Sequence, residues 1–382
     1  MSKRVLFLHC TDGGYGADRQ LLHLATGLDS RRYEPLVALP GRGPLADRLA
    51  AERIRVVRLR PLALLRRDLL RRGGTAALAG RMASDRLFLG RLARDEGVEI
   101  VHSNSSIVLS GQAVADAAGA AHVVHVREIW PGTDRRLERS LWPLLRRRLL
   151  RADAVLCVSA AAAEPLGHAP HVRVVRDGVA PPARLPDRAT ARRALGLPAD
   201  RFVAAAIGRL SDWKGQDVLA RALVRPELVE LGAVGIVAGD AAPGQERFRR
   251  ELARLADTLG LDGRLQMLGY REDVDTIRAA ADAEVVPSRR PDALPNSALE
   301  AAAAGVPLIA ANGGGQPEIV RDGITGQLVA PGDPASLAGA LARVAADPAA
   351  AGRLAEAVAQ DIPRRFAVPR MIDEVQECYD RL

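Results

Sequence analysis

Cysteine, lysine and aromatic residues are scarce in this sequence, and two of these scarcities exclude a class of function. The three cysteines, Cys10, Cys157 and Cys378, are widely scattered and lack the spacing of a metal site or a redox pair. They predict reduced thiols, and we expect no structural metal. Aromatic residues make up 3% of the chain and form no stacking platform, which argues against nucleic-acid binding.

Long apolar runs are also missing. No stretch approaches the roughly 18 uninterrupted apolar residues that a membrane-spanning helix needs. The first ten residues contain two basic residues and then a short apolar run, which predicts a strand rather than a signal peptide. We therefore expect a cytoplasmic protein.

The basic excess is carried almost entirely by arginine. The formal net charge is +8, and Lys3 and Lys214 are the only lysines among 54 basic residues. Arginines cluster at 66–72 and 146–148 among leucines, which predicts two amphipathic helices with an arginine edge. Either the arginines are the solvated face of helices that cover the first sheet, or the helices rest on anionic lipid headgroups at the inner face of the membrane.

Short apolar runs alternate with helix patterns along the 382 residues, which predicts an α/β fold with parallel sheets. The predicted strands are 5–9, 35–39, 55–59, 99–102, 123–127, 154–159 and 173–176 in the first half, and 202–207, 235–238, 265–268, 284–287, 307–310 and 326–329 in the second. This length suffices for two domains with separate cores. The proline-rich stretch 179–186 is the predicted connection, so we expect one domain over 1–178 and another over 179–365.

The segment 287–320 carries the strongest chemical signal. A strand ending at Pro287 is followed by a polar loop that contains Asp292, and then by a helix pattern. Unpaired N–H groups at a helix start, together with the helix dipole, favour a bound phosphate. The predicted donors belong to Asn296, Ser297, Ala298 and Leu299.

Glu300 has two interpretations. One turn inside this helix, it is placed to accept hydrogen bonds from sugar or ribose hydroxyls. However, Ser297 and Glu300 also have the spacing of a capping box, which would satisfy two backbone donors and explain both residues without a ligand. The eight positions between Asp292 and Glu300 do not ensure the carboxyl spacing of a glycosidase, which is roughly 5–5.5 Å or 6.5–9.5 Å.

A second loop, 208–215, follows the apolar run 202–207 and precedes a helix pattern. Arg209 and Lys214 lie in this loop, where two fixed cations near a helix N-terminus can neutralise a departing diphosphate. The alternative is a solvated surface pair.

The first half has polar residues at three predicted strand ends. Gly13 and Gly14 form a glycine-rich turn into a helix, which suits either close backbone approach to a ligand or a tight strand–helix connection. Ligands of open α/β sheets bind at the carboxyl ends of strands. The candidates at the other two ends are His102, Asn104, His125, Arg127 and Glu128.

Several of these motifs, in this order and spacing, resemble retaining GT-B glycosyltransferases of family 4. The resemblance is carried by Gly208-Arg209-Leu210 to Lys214-Gly215, by Asp292-x7-Glu300 and by the turn at 313–315, which continues to Glu318-Ile319-Val320. Supporting matches are Asp177-Gly178-Val179, which resembles an Asn-Gly-Val hinge, and the turns at Gly239-Asp240 and Leu268-Gly269-Tyr270. One departure is Asp292, where the family usually has Glu.

The resemblance implies two Rossmann-like domains that face each other across a cleft, with the last helix, 366–382, packing back on the first domain. It implies a retaining, metal-independent transferase that moves a hexosyl group from an NDP-sugar to a hydroxyl acceptor. The resemblance implies that the enzyme needs no cofactor, since the NDP-sugar donor is a co-substrate.

The resemblance also assigns roles to residues. Arg209 and Lys214 would hold the diphosphate, Asp292 would orient the sugar, and Glu300 would hold hydroxyls. Nucleotide-facing positions would include Gly208, Asp240, Gly269 and Tyr270, with Gly13 and Gly14 across the cleft. The acceptor would bind in the first domain near His102, Asn104 and Glu128, and either His125 or Arg127 would contact the transferred sugar.

Other choices stay open at this point. UDP is favoured as the nucleotide by the resemblance, with GDP, ADP and TDP as alternatives. The acceptor is a small molecule, a lipid-linked intermediate or a polysaccharide, and the protein is a monomer or a homodimer. The competing functions are an NDP-sugar epimerase, a phosphorylase, a non-catalytic sugar-nucleotide sensor, and an arginine-rich adaptor for membranes or nucleic acid.

Overall fold

The computed structural model describes residues 2–58, 62–65, 74–131 and 136–382. The arginine cluster predicted at 66–72 lies outside the described residues. The chain divides into two compact units: unit 1 is Met1–Gly178 with Val368–Leu382, and unit 2 is Val179–Ala367.

Unit 1 is built on a seven-stranded parallel sheet with the strand order 3-2-1-4-5-6-7. Its strands are β1 (Lys3–Leu8), β2 (Tyr33–Leu39), β3 (Arg55–Arg58), β4 (Val98–Ser103), β5 (Ala121–Val126), β6 (Ala154–Cys157) and β7 (Val172–Val174). Its helices are α1 (Gly16–Gly27), α2 (Pro44–Ala51), α3 (Gly74–Asp95), α4 (Gly111–Ala118), α5 (Arg136–Leu149) and α6 (Ala160–Ala163), followed by a 3-10 turn at Glu164–Leu166.

Apolar cores cover both faces of this sheet. On one face, Leu21 of α1 and Leu49 of α2 pack in a cluster with Tyr379. On the other face, Leu89 of α3 and Val114 of α4 pack against strand residues. Strand order reverses between β1 and β4, and such a reversal is where open α/β sheets place their ligands.

Unit 2 repeats the scheme with six parallel strands, in which the first strand pairs with the second and the fourth. Its strands are β8 (Val203–Ile207), β9 (Val234–Ala238), β10 (Leu265–Gly269), β11 (Ala283–Val286), β12 (Leu308–Ala311) and β13 (Gln327–Val329). Its helices are α7 (Arg188–Ala194), α8 (Gln216–Leu223), α9 (Pro226–Glu230), α10 (Arg247–Thr258), α11 (Val274–Ala280), α12 (Asn296–Ala303), α13 (Gln316–Ile319), α14 (Pro334–Ala346) and α15 (Pro348–Arg365). The last helix, α16 (Val368–Asp380), belongs to unit 1.

Three helices of unit 2 have an aspartate at the N-cap, where its carboxylate accepts a hydrogen bond from an otherwise unpaired backbone N–H. The carboxylates of Asp187, Asp333 and Asp347 accept N–H bonds at the first turns of α7, α14 and α15 at 2.8–2.9 Å. The strand β8 reads VAAAI, and its small side chains lie in two apolar clusters, one on each side of the strand. The reversal of strand order falls between β8 and β11, whose carboxyl ends therefore lie side by side.

The predicted α/β fold is confirmed, with each predicted strand present within a few residues of its expected bounds. Two details differ. Arg127 was placed in a strand, but β5 ends at Val126 and Arg127 is in the connection that follows. The final helix begins at Val368 rather than at 366, because Phe366 ends the preceding helix as its C-cap.

Helix α5 contains the second predicted arginine cluster. Leu145 and Leu149 are buried, whereas Leu144 is 69% exposed and Arg147 lies on the surface. Across the described ranges, we find no helix both long and apolar enough to cross a bilayer.

Candidate active site

The loop after β8 runs along the carboxyl end of the neighbouring strand β9. The Gly208 N–H donates to the Ala238 carbonyl at 2.8 Å, and the Leu210 N–H donates to the Asp240 carbonyl at 3.0 Å. At Gly239 φ is +129°, and a Cβ there would lie 2.1 Å from the Gly208 carbonyl oxygen. Glycine is required at this approach of one backbone to another.

The far end of the same loop packs against the chain that leaves β11. Gly215 has φ +80°, and a Cβ on it would lie 1.9 Å from the Pro287 carbonyl oxygen. The Arg289 N–H donates to the Trp213 carbonyl at 2.7 Å. Backbone contacts therefore fix Lys214, between Trp213 and Gly215, over the carboxyl end of β11.

Lys214 and Asp292, which the sequence connected only through separate motifs, form an ion pair. Lys214 Nζ lies 2.6 Å from Asp292 Oδ2, and the two side chains are 21% and 10% exposed. The ammonium also lies 4.5 Å from the centre of the Trp213 ring, a cation–π contact. The structure thus brings together a predicted phosphate ligand and the predicted sugar ligand.

The glycine-rich turn after β12 holds the backbone of Asp292. The Gly315 N–H donates to the Asp292 carbonyl at 2.8 Å. Gly314 has φ +63°, and a Cβ there would lie 2.1 Å from the same carbonyl oxygen. Three loops, 208–215, 287–292 and 313–315, therefore converge at one edge of the sheet of unit 2.

Arg209 is the second predicted phosphate ligand in the loop after β8. Its side chain is half-buried and has no hydrogen-bond or ion-pair partner among the residues that the structure describes. The Gln216 side chain donates to the Arg209 carbonyl at 3.2 Å and so fixes its backbone. A cation without an internal partner is available to an anionic ligand.

The capping-box interpretation of α12 is wrong. Asn296 is the first helical residue, Pro295 is the N-cap without a side-chain bond, and Ser297 therefore lies inside the helix. The backbone donors also differ from expectation, because the N–H groups of Ala298 and Leu299 donate to the Pro295 carbonyl at 3.1 and 3.3 Å. Those two N–H groups are already paired, which leaves phosphate binding by Asn296 and Ser297 as the remaining prediction for this helix start.

Glu300 is instead paired with a buried arginine. Arg278 Nη2 donates to Glu300 Oε2 at 2.8 Å, and Arg278 Nε donates to Glu284 Oε2 at 3.0 Å. Burial raises the pKa of Glu284 to about 7, although the charge of Arg278 opposes this. Neither Arg278 nor Glu284 was predicted, and the available signal was a glutamate in an otherwise apolar strand, AEVV.

The predicted nucleotide-facing residues Asp240, Gly269 and Tyr270 lie at the ends of β9 and β10. The Gly239 N–H donates to the Gly269 carbonyl at 2.7 Å, which joins the two turns. Asp240 accepts the Ala241 N–H at 2.8 Å, and the Tyr270 side chain is 41% exposed. Their contacts with a nucleotide stay predictions.

A cavity of about 410 Å³ lies beside the loop after β8, between that loop and helices α8 and α10. Ser211, Asp212 and Asp217 line it together with Phe248 of α10. The candidate ligands Arg209, Lys214, Asp292 and Glu300 do not line it, so this cavity is separate from their cluster.

Unit 1 also gathers polar side chains at its strand ends. Arg127 Nη1 donates to both Asp177 carboxylate oxygens at 2.7 and 2.8 Å, and Arg127 Nε donates to Asn104 Oδ1 at 3.2 Å. Asn104 Nδ2 lies 3.0 Å from His9 Nδ1, and His9 Nε2 lies 2.7 Å from Asp18 Oδ1. We call these five residues the unit 1 cluster.

The unit 1 cluster fixes its own proton positions. Because Asn104 Oδ1 faces the Arg127 guanidinium, the amide nitrogen must donate to His9 Nδ1, which is therefore unprotonated. His9 Nε2 then carries the proton and donates to Asp18. Burial would raise the pKa of Asp18, but hydrogen bonds from His9 and Thr11 outweigh it and lower that pKa. The sequence patterns did not point to His9 or to Asp18.

The predicted turn at Gly13 and Gly14 precedes α1. Gly14 has φ +86°, and the turn is anchored by the Tyr15 N–H, which donates to Asp18 Oδ2 at 2.9 Å. The Leu45 N–H at the start of α2 donates to the Asp12 carbonyl at 3.3 Å. The tight strand–helix connection is present, and contact with a ligand stays a prediction.

His102 and His125 are completely buried on the side of α16. Their ring centroids lie 5.6 Å apart, and His102 Nδ1 lies 2.6 Å from the Tyr379 hydroxyl. Burial, and then the charge of Arg127, lower both histidine pKa values well below 6.5. Neither ring has exposed surface in this structure, although contact with a sugar or acceptor was predicted for both.

Glu128, a predicted acceptor ligand, is bound by the loop after β4. The Ser105 and Ser106 hydroxyls both donate to its carboxylate, and the Ser106 N–H donates at 3.2 Å. Trp130 Nε1 in turn donates to the Ser106 hydroxyl at 2.7 Å. An acceptor at this carboxylate would have to share it with the serines.

Two family profiles match the chain, one in each half. The profile described as Glycosyltransferase Family 4 matches residues 15–181, and the profile described as Glycosyl transferases group 1 matches residues 187–361. The chain belongs to glycosyltransferase family 4.

Curated relatives of this family 4 chain include two D-inositol 3-phosphate glycosyltransferases. The protein of Mycolicibacterium paratuberculosis is 36% identical over 197 residues, which is 51% of this chain and 44% of that protein. The protein of Saccharomonospora viridis is 39% identical over 199 residues, 50% of this chain and 46% of that protein. The matched region spans less than half the length of either relative.

Solved structures match over nearly the full length of this family 4 chain. Anabaena Alr3699/HepE in complex with UDP-glucose superimposes with a TM-score of 0.83 at 25% identity, covering 99% of this chain and 100% of that one. WaaG, a glycosyltransferase involved in lipopolysaccharide biosynthesis, has a TM-score of 0.71 at 16% identity, covering 97% and 99%. The predicted GT-B fold is confirmed by these neighbours.

Proposed function

We propose that this family 4 chain transfers a sugar from an NDP-sugar, with UDP favoured, to a hydroxyl acceptor. The observation that carries the proposal is the contact of Lys214 with Asp292 at 2.6 Å, beside Arg209, whose side chain has no partner within the described part of the chain. Two cations and a carboxylate at one sheet edge suit a ligand that joins a diphosphate to a polyol. The UDP-glucose bound by Anabaena Alr3699/HepE supports the choice of donor.

Charge develops on the diphosphate as its bond to the sugar breaks. Arg209 and Lys214 stabilise that charge, and such preorganised groups contribute most where the charge appears. Because Lys214 is paired with Asp292 in this structure, donor binding exchanges one partner of the ammonium for another. Asp292 then accepts hydrogen bonds from the sugar, and Glu300 accepts them from sugar or ribose hydroxyls.

We propose retention of the anomeric configuration without a metal ion. The C1–phosphate oxygen bond breaks, the acceptor oxygen bonds to C1 on the same face, and the acceptor proton moves to an oxygen of the leaving diphosphate. Arg209 and Lys214 provide the positive charge that a metal would otherwise provide. The acceptor binds to unit 1, near Asn104, Glu128 and either His125 or Arg127.

A panel of UDP, GDP, ADP and TDP in a thermal-shift assay is the first test. A nucleotide at 100 times its Kd stabilises a protein by about 2.7 kcal/mol, so one member should raise the unfolding temperature clearly. Failure of every nucleotide to do so would overturn the proposal.

Transfer is then measured by mass spectrometry with the matching NDP-sugar and acceptor-rich cell extract. A glycosylated product with the donor's anomeric configuration by NMR, formed equally with EDTA, is expected. An epimerised donor without acceptor, a strict need for inorganic phosphate, or tight binding without any turnover would instead identify an epimerase, a phosphorylase or a sensor.

Location and assembly are further proposals. We expect a cytoplasmic enzyme, monomeric or homodimeric, that reaches lipid-linked acceptors through the exposed Leu144 and Arg147 of α5. Co-sedimentation with anionic vesicles should weaken for L144S if that contact exists, and should stay unchanged if α5 is only a solvated helix.

A further inference from the structure

Helix α11, strand β11 and helix α12 bring four charged groups of unit 2 into contact. Arg278 donates through Nε to Glu284 at 3.0 Å, through Nη2 to Glu300 at 2.8 Å and through Nη1 to Asp275 at 3.4 Å. The side chains of Arg278 and Glu284 are 3% and 0% exposed. Glu300, on α12, is 17% exposed, and Asp275, on α11, is 46% exposed.

A buried pair of this kind needs a reason beyond stability. Removing charges from water costs several kcal/mol per ion, and apolar residues of the same volume often stabilise a fold equally well. Glu284 points from a strand whose other residues, Ala283, Val285 and Val286, are buried and apolar. Its second oxygen, Oε1, is buried and has no partner among the described residues. A leucine would fit the character of this strand better.

The contacts restrict the Arg278 guanidinium from three directions. Its planar group uses a different nitrogen for each carboxylate, so the Glu284 contact fixes the plane in which Nη2 reaches Glu300. A lysine has a single charged nitrogen and cannot hold two partners in a fixed relative orientation. Arg278 therefore orients the carboxylate of Glu300 from the buried side of that residue.

We propose that Arg278 and Glu284 are positioning residues, which orient the Glu300 carboxylate to accept hydrogen bonds from the hydroxyl groups of the sugar nucleotide. This inference rests on the proposed function, and it adds two residues that touch no substrate. Arg278 acts on donor recognition through Glu300, and Glu284 acts through Arg278.

A double-mutant cycle on donor affinity tests whether Arg278 acts through Glu300. The Kd for UDP-glucose is measured by calorimetry for the wild type, R278M, E300Q and R278M/E300Q. Loss of a charged hydrogen bond predicts that R278M and E300Q each weaken binding by about tenfold or more. The double variant should bind no more weakly than E300Q, because Arg278 acts only through that residue.

Two further variants separate positioning from folding. R278K keeps a buried charge but should reproduce most of the affinity loss of R278M, and E284Q, which is nearly isosteric, should weaken UDP-glucose binding by a smaller factor. Arg192 supplies the matched control: it is equally buried and pairs with Asp282 at 2.7 Å. R192K should lower the unfolding temperature and leave the Kd for UDP-glucose unchanged.

These experiments distinguish failure of the positioning role from failure of the proposed function. If the two single effects multiply in the double variant, or if R278M and R278K bind UDP-glucose like the wild type, the positioning role is overturned while the proposed function stands. If the wild type itself binds no nucleotide or sugar nucleotide, the proposed function fails first.

Discussion

The carboxyl ends of the two sheets use charge in opposite ways. In unit 1, Arg127 and Asp177 satisfy each other almost completely, with 8% and 3% of their side chains exposed. In unit 2, Lys214 is 21% exposed, and Arg209 has no partner among the described residues. In unit 1 the polar groups at the sheet edge bond one another in a network, whereas in unit 2 the cations at the sheet edge stay accessible to solvent.

This difference separates a structural use of polarity from a chemical one. A closed network leaves nothing unsatisfied, so its main effect is to fix the chain segments that it joins. An unpartnered cation is destabilising or neutral for folding, and it is retained where a ligand needs it. We therefore expect substitution of the Arg127–Asp177 pair to act mainly on stability and substitution of Arg209 or Lys214 to act mainly on turnover.

The largest effect should come from breaking the unit 1 cluster. R127M leaves the Asp177 carboxylate buried without its partner, and such a loss costs about 3–5 kcal/mol. Calorimetric unfolding measures it. The double variant R127M/D177N removes the stranded charge and should recover much of the loss; if it is no more stable than R127M, the ion pair is not the source of the effect.

Removing the unit 2 cations should act on catalysis with less effect on folding. R209A and K214A are each expected to lower kcat by about 100- to 1000-fold, because each removes charge stabilisation that grows toward the transition state. Steady-state kinetics with the identified donor measure this. R221M is the matched control, since Arg221 is an exposed arginine on α8, the helix that follows the same loop. Wild-type turnover in R209A or K214A would refute their assignment.

Asp292 tests the role of the unit 2 cations further, because its carboxylate neutralises the charge of Lys214 in this structure. D292N removes a negative charge from beside the diphosphate site and frees the ammonium, so UDP should bind about three- to tenfold more tightly. Sugar transfer should fall at the same time, because the sugar loses a charged acceptor. Calorimetry with UDP measures the first effect and kinetics the second. Weaker UDP binding in D292N would show that the aspartate mainly holds the loop together.

The smallest effect is an opposite response of the two units to pH. Burial keeps His125, beside His102 and Arg127, neutral, with its pKa well below 6.5, so only the unfolded chain takes up a proton there and unit 1 loses stability as pH falls below 6.5. Glu284, facing Arg278, Glu300 and Asp275, has a pKa raised from 4.5 to about 7. The folded chain retains that proton when the unfolded chain has lost it, so unit 2 loses stability as pH rises from about 4.5 to 7.

Calorimetry from pH 4.5 to 8 measures both slopes. H125F should flatten the loss of stability on the acid side, and E284Q should flatten the loss as pH rises toward 7. Unchanged slopes in these two variants would contradict the assignment of the titrating groups.

Periodicity and turn residues predicted the fold because they are local. Runs of four to six residues between glycine-rich and helical stretches placed the strands, and separate motifs placed Lys214 and Asp292 in loops at two strand ends. The sequence did not predict which side chains would pair with each other. The Arg127–Asp177 pair spans 50 positions, and neither residue's neighbours indicate the other.

Two errors have simple physical causes. The capping box required Ser297 outside the helix as its N-cap, but the N-cap is Pro295, two residues earlier, and Ser297 lies inside the helix. Glu300 pairs with Arg278, a residue that the sequence patterns gave no reason to select. For His125, strand alternation did not predict its depth: the ring is completely buried and packs on His102, which in turn contacts Tyr379 of helix α16.

Because lysine is scarce in this chain, chemical modification of Lys214 can report ligand binding. Of the two side-chain amines in the sequence, that of Lys3 donates to the Tyr379 carbonyl at 3.2 Å in unit 1, and that of Lys214 lies at the proposed diphosphate site. An acylating reagent therefore has few side chains to modify. Peptide mapping with and without bound nucleotide would report occupancy of the proposed diphosphate site, as protection of the Lys214 amine relative to the Lys3 amine.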